Sequence, residues 1–165
     1  MWHLSRFQPS EIIDLAVQIE EKGAEFYQKL AEKAESKKTK DLLLFLASEE
    51  KKHLLDFKKL GDDFEAVSPR ESYPGEYFDY LKSTVETHMF NDLERLGQLI
   101  EATKSESDIV RLAVSFEKDS ILFFMSFRKL VGEDKGTVID DLIKEEEEHL
   151  IKLSQIKKEL QKGEM

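Results

Sequence analysis

An internal repeat limits the folds open to this chain more than any other feature of its 165 residues. At an offset of 97, Ala16 aligns with Ala113, Val17 with Val114, Glu20 with Glu117, Phe26 with Phe123 and Tyr27 with Phe124. At an offset of 96, Leu42 aligns with Val138, Leu46 with Leu142, Glu50 with Glu146, His53 with His149 and Leu54 with Leu150. The offsets differ by one residue of loop. Each repeat is therefore a helix hairpin of the same design, and the two are joined by a long connection that must carry the second hairpin alongside the first.

The apolar spacing agrees. From Ser10, a plausible N-cap, Ile13, Ala16, Val17, Ala24, Tyr27 and Ala31 recur at helical intervals. After "SKKT" a second helix, capped by Thr39, carries Leu43, Leu46, Ala47, Leu54, Phe57 and Leu60 and is expected to end at Gly61. Ile109 through Val131 form the next, with Ala113, Phe116, Ile121, Phe124 and Phe127 on or beside one face, and Gly132 stops it. The last, from about Thr137, aligns Ile139, Leu142, His149, Leu153 and Ile156. The Phe-rich "FFMSF" at 123–127 reads as core or as a dimer interface. Strand-like alternation is absent, so the expected fold is all-α, a four-helix bundle of two hairpins in one domain over 1–165. Hairpin one spans about 10–60 and hairpin two about 107–161. The crossover of about 61–106 opens on an exposed, proline-containing stretch and continues as one bent helix or two shorter ones.

Composition removes several function classes. Cysteine is absent, which excludes disulfides, Cys-based zinc sites, an iron–sulfur cluster and a thiol nucleophile within these residues. A net charge of −10, with scattered Lys and Arg, argues against nucleic acid as a partner. No run approaches the ~20 apolar residues of a membrane span, and "MWHLSRFQPSE" lacks a signal-peptide core, so a cytoplasmic protein without a membrane partner is expected.

Two stretches, "EEKKHLL" and "EEEEHLI", each hold an ExxH pair: Glu50 with His53, and Glu146 with His149. Alone they would be unremarkable in a chain with 35 acidic residues. Their matched places in the repeat, with Glu20 and Glu117 inside otherwise apolar stripes, direct four carboxylates and two imidazoles toward one bundle core. Burying four ionised carboxylates is prohibitive unless positive charge lies between them. Two divalent cations balance four carboxylates and two neutral imidazoles. The i, i+3 spacing lets each pair grip one ion, while a Glu from each other helix completes both. Oxygen-rich ligation with one imidazole per ion suits Fe(II) or Mn(II), with zinc a possible substitute. Of the acids in "EEEE", only Glu146 has the spacing; Glu145, Glu147 and Glu148 are expected to point elsewhere. His3 and His88 match nothing in the repeat and read as surface or packing residues.

The stretches "AVQIEEKGAEFY", "LASEEKKH", "AVSFEKDSILFF" and "LIKEEEEH" resemble, in order, the four ligand-bearing helices of the ferritin-like superfamily, most closely its rubrerythrin branch. The resemblance covers about two thirds of the chain. It implies a ferritin-like bundle holding two Fe ions, with Glu20, Glu50, His53, Glu117, Glu146 and His149 as metal ligands and with Glu50 and Glu117, or their symmetry mates, bridging. It also implies a supporting role for Tyr27, whose repeat mate Phe124 cannot donate a hydrogen bond. Two departures stand out. Peroxidase-type rubrerythrins carry a further glutamate where this chain has Ser120, with Asp119 beside it pointing away around the helix. They also carry a Cys-ligated rubredoxin-like centre, for which this chain has no cysteine. Lys51 stands where a bacterioferritin places its haem-ligating Met, so no haem is expected.

The leading expectation is a di-iron oxidoreductase that reduces hydrogen peroxide or dioxygen and is recharged by an external donor such as a rubredoxin. Gly23 and Ser120, one turn past the single ligands, would leave room for the small oxidant. A ferroxidase or iron-handling protein, and a helical interaction module with a structural metal site, are the alternatives. By analogy with other two-hairpin bundles a homodimer is expected.

Overall fold

A computed structural model describes residues 9–62, 64–68 and 70–163; His3 lies outside the described residues. Six α-helices follow one another as α1 (Pro9–Lys33), α2 (Lys37–Asp62), α3 (Glu76–Thr87), α4 (Leu93–Glu101), α5 (Glu106–Arg128) and α6 (Glu133–Gly163), with a 3₁₀ turn, Met89–Asn91, between α3 and α4. No strand occurs among the described residues, only an isolated bridge between Ala66 and Val131. The all-α expectation holds.

The helices pair as the repeat predicts. α1 packs along α2 and α5 along α6, and the hairpins meet through α1 against α5 and α2 against α6. The stripes read from the sequence are largely the buried faces: Ala16, Tyr27, Leu43, Leu46, Ala113, Phe116, Ile139 and Leu153 are all close to fully buried, while Val17, Leu54 and Ile121 are partly buried. Two aromatic groups flank the middle of the bundle. Phe26, Tyr27, Phe90 and Phe116 form one, with ring centroids 4.7–5.6 Å apart, and Phe57, Phe64, Phe124 and Phe127 the other, at 5.0–6.0 Å. In "FFMSF" the three phenylalanines are core, and only Met125 is exposed.

Helix ends differ from expectation where tertiary contacts outweigh local signals. α1 already includes Pro9, so Ser10 lies inside its first turn. Thr39 is buried inside α2, and Ser36 occupies the cap, its Oγ accepting from Thr39 N at 3.4 Å. Gly61 does not stop α2, which runs to Asp62; a Cβ there would stand 2.8 Å from Ile13 Cγ2, so glycine permits the close approach of α1. α6 begins at Glu133 rather than near Thr137. The Arg128 guanidinium covers Gly136, where a Cβ would fall 2.3–2.7 Å from its atoms, and reaches Asp140 Oδ1 from Nε at 2.8 Å and the Val131 carbonyl from Nη1 at 3.0 Å.

The crossover is two short helices. His88 breaks α3 with an extended backbone (φ −61°, ψ 136°), and its Nδ1 accepts from Phe90 N at 3.2 Å. Asp119, turned away from the bundle centre as expected, accepts from Met89 N at 2.9 Å and so ties the 3₁₀ turn to α5. His88 is a packing residue, buried against Phe90 and Phe116. The connection before α3 is mostly exposed, and Val67 N donates to the Leu130 carbonyl at 2.8 Å.

Candidate metal centre

The six residues singled out by the repeat converge. Glu20 comes from α1, Glu50 and His53 from α2, Glu117 from α5, and Glu146 and His149 from α6. All are at most 2% exposed. They lie between the two aromatic groups, because Glu20 precedes Tyr27 by two turns on α1 while His53 precedes Phe57 by one on α2.

Their ligand atoms form two overlapping groups. Atoms of Glu20, Glu50, His53 and Glu146 lie within 4.8 Å of one another, and so do those of Glu50, Glu117, Glu146 and His149. Glu50 and Glu146 belong to both. The two residues common to both groups are the glutamates of the ExxH pairs, related to each other by the repeat. Glu20 and Glu117 each stand in one group, with one histidine apiece.

The contacts inside the cluster are those of atoms aimed at a common point. His53 Nδ1 lies 3.0 Å from Glu146 Oε1 and 3.4 Å from Glu20 Oε2, poorly aligned for a hydrogen bond to either. His149 Nδ1 lies 3.1 Å from Glu146 Oε2, 3.7 Å from Glu117 Oε1 and 4.0 Å from Glu50 Oε1. The imidazoles stack, with centroids 5.7 Å apart. Both oxygens of Glu20, both of Glu50, Glu117 Oε2 and Glu146 Oε1 are buried and accept no hydrogen bond. A folded protein seldom buries even one such oxygen unpaired.

Protein groups alone balance this charge badly. Burial, followed by the mutual repulsion of the acids, pushes Glu50 and Glu117 well above the ordinary carboxylate range; burial also raises Glu20. Burial would raise Glu146 as well, but the hydrogen-bonded His149 and the nearby His53 imidazole overcome it and hold that carboxyl low. Burial depresses His53, against which Glu146 and Glu20 push its pKa up to about 12. Two divalent cations fit the unpaired oxygens and would remove the repulsion that raises the acids.

Two supporting contacts complete the site. Tyr27, wholly buried, donates a short hydrogen bond from its hydroxyl to Glu117 Oε1, so it serves the ligand of the opposite hairpin rather than Glu20 on its own helix. Burial, then the charges of Glu117 and Glu50, push its pKa well up, which keeps the phenol protonated. His53 Nε2 lies 2.9 Å from Glu145 Oε2. Glu145 therefore does not point away from the site, contrary to expectation. Its repeat mate Glu49 pairs instead with Lys52. An acid directly before each ExxH glutamate was the available signal, and it needed the packed pair α2–α6 to become meaningful.

The room expected beside Gly23 is filled. A Cβ there would stand 2.6 Å from Phe116 Cζ and 3.1 Å from Glu50 Oε2, so the glycine admits the Phe116 ring rather than an oxidant. Phe45, partly exposed on α2, closes the His149 side, with its ring perpendicular to the imidazole at 6.2 Å.

The rubrerythrin family profile matches residues 11–157. The chain belongs to the rubrerythrin family. A crystal structure of a Thermotoga maritima protein, provisionally described as a ferritin-like diiron-carboxylate protein, superposes with a TM-score of 0.66 at 25% identity, covering 95% of this chain and 99% of that one. No curated protein matches the sequence. The rubrerythrin assignment and the buried Glu/His cluster together point to a dinuclear metal site. Among the described residues no helix is long and apolar enough to cross a membrane.

Proposed function

We propose that this rubrerythrin-family chain is a di-iron oxidoreductase that reduces hydrogen peroxide or dioxygen by two electrons and is recharged by a separate electron donor such as a rubredoxin. The observation that carries the reading is the pair of overlapping four-residue groups that share Glu50 and Glu146. In it Glu20, Glu50, His53 and Glu146 would hold one ion, and Glu50, Glu117, Glu146 and His149 would hold the other. Two iron ions, when bound, supply one electron each. Glu50 and Glu146 keep the two positions at a fixed separation, and the four carboxylates favour the higher metal charge. Tyr27 keeps a proton at its hydroxyl oxygen, beside Glu117 Oε1, and fixes that carboxylate. Glu145 fixes the His53 ring through Nε2, leaving Nδ1 to the centre. The Phe26, Phe90 and Phe116 rings wall off bulk water. These 165 residues contain no cysteine and so hold no rubredoxin-like centre among them, which is in keeping with a separate donor.

The test is anaerobic titration of the metal-free protein with Fe(II), beside a Glu50→Ala, Glu146→Ala double variant. Two equivalents per chain, lost in the variant, support the site, and faster oxidation of the loaded protein by peroxide or dioxygen than of Fe(II) in buffer supports the reaction. Fewer than one equivalent, or two that survive the double substitution, would overturn the reading. Conversion of excess Fe(II) into a retained mineral would favour iron handling instead.

A further inference from the structure

Ser120 lies on α5 one turn beyond Glu117, separated from it by about 60° around the helix. It is wholly buried. Serine and threonine hydroxyls inside helices commonly bond back to a carbonyl one turn earlier. On this same helix Ser115 does so to the Arg111 carbonyl at 3.1 Å and Ser126 to the Phe123 carbonyl at 2.6 Å. Ser120 Oγ does not, and it has no hydrogen-bond partner among the described residues.

The repeat indicates the half of the site on which this hydroxyl stands. The mate of Ser120 is Gly23, whose Cβ, if present, would meet Glu50 Oε2 at 3.1 Å and the Phe116 ring. The mates of Glu50 and Phe116 are Glu146 and Ile19. By the repeat, position 120 is the counterpart of position 23 on the Glu117 and Glu146 half of the site, with Ile19 as the counterpart of Phe116. The pseudo-symmetric site has two unlike sides. On the Gly23 side an aromatic ring takes the space, and on the Ser120 side a hydroxyl stands free. Tyr27 cannot serve in its place, because its hydroxyl already donates to Glu117.

We propose that Ser120 is a ligand-positioning residue whose hydroxyl donates a hydrogen bond to the small oxidant, hydrogen peroxide or a small anion standing in for it, on the Glu117 and Glu146 side of the centre. The proposal rests on the dinuclear reading above. A buried hydroxyl left without a protein partner is costly in the fold and useful to a ligand that offers it an acceptor atom.

Azide binding to the diferric protein, followed by its charge-transfer absorption, tests this together with metal content and thermal melts of the metal-free protein. Ser120→Ala is expected to keep two irons per chain, to melt no lower than the parent and to bind azide about tenfold more weakly, the order of a hydrogen bond to a charged group. Ser120→Thr and Ser120→Val share a shape, so the hydroxyl predicts tighter azide binding by Thr than by Val. Equal azide affinity in the parent and Ser120→Ala, each with two irons, would overturn the role of Ser120 while leaving the dinuclear site standing. So would equal affinity in Thr and Val, or a lowered melting temperature in Ser120→Ala without loss of azide affinity. A parent protein that holds fewer than two irons would overturn both, and one that holds two irons but binds no azide would overturn the role of Ser120 alone.

Discussion

Glu145 is half exposed and sits in a run of four acids, yet it touches His53 Nε2 across the seam between the hairpins. A carboxylate in this position fixes the ring orientation and raises the basicity of the nitrogen facing the metal. Glu145→Gln is expected to leave the fold intact and to weaken metal binding by about tenfold, the lower end of what loss of such a partner costs. Competition with a chelator of known affinity checks it, and an unchanged affinity would show the contact to be incidental. The six cluster residues were legible because helical periodicity puts i and i+3 on one face. Glu145 was not, because its partner is 92 residues away and on another helix. The same holds for Tyr27: its place on the Glu20 face was readable, but its bond to Glu117 depends on how α1 meets α5.

At the scale of elements, the interiors of helices were predictable and their ends less so. Apolar stripes summed over many residues survive packing, whereas a cap depends on one side chain and its local turn. α5 begins with Ser105, whose Oγ accepts from Asp108 N at 3.1 Å, and Glu106 Oε1 reaches back to Ser36 N at 3.0 Å, at the start of α2. One short stretch therefore secures the starts of two helices. Ser105→Ala is expected to lower stability by about 1 kcal/mol, the usual cost of losing a serine cap. Denaturant unfolding measures this, and the metal stoichiometry should not change. Gly136 is a different case: it lies inside α6, and the Arg128 guanidinium occupies the space of its missing side chain.

For the whole molecule, the buried acids couple folding to pH. Glu20, Glu50 and Glu117 have raised values in the folded, metal-free protein, through burial first and then, for Glu50 and Glu117, repulsion from Glu146. Their contribution to stability is complete below the unfolded carboxylate value and is lost as pH rises through the folded values. His53, raised to about 12 by Glu146 and Glu20 against the effect of burial, acts with the same sign: its contribution is complete below the ordinary histidine value and declines above it. Glu146, held low against burial by His149 and His53, contributes above the ordinary carboxylate range and loses that contribution only at lower pH. The metal-free protein should therefore melt at progressively lower temperature from pH 5 to pH 8. Metal binding displaces these protons, so the stabilisation from added metal should grow over the same interval. Melts with chelator and with two equivalents of metal at pH 5, 6.5 and 8 check both, and a metal-free melting temperature that rises with pH would contradict the electrostatic account.

The sequence by itself determined the helical class, the two-hairpin plan and the identity of the six converging residues, because a repeat with two phases of helical spacing leaves few other ways to bury its apolar faces. Only the tertiary structure decided which carboxylates are shared, which acid supports His53, and that Phe116 fills the space beside Gly23. Each of these is a contact between helices whose relative rotation and height follow from side-chain packing across the whole bundle, and periodicity along one helix carries no record of either.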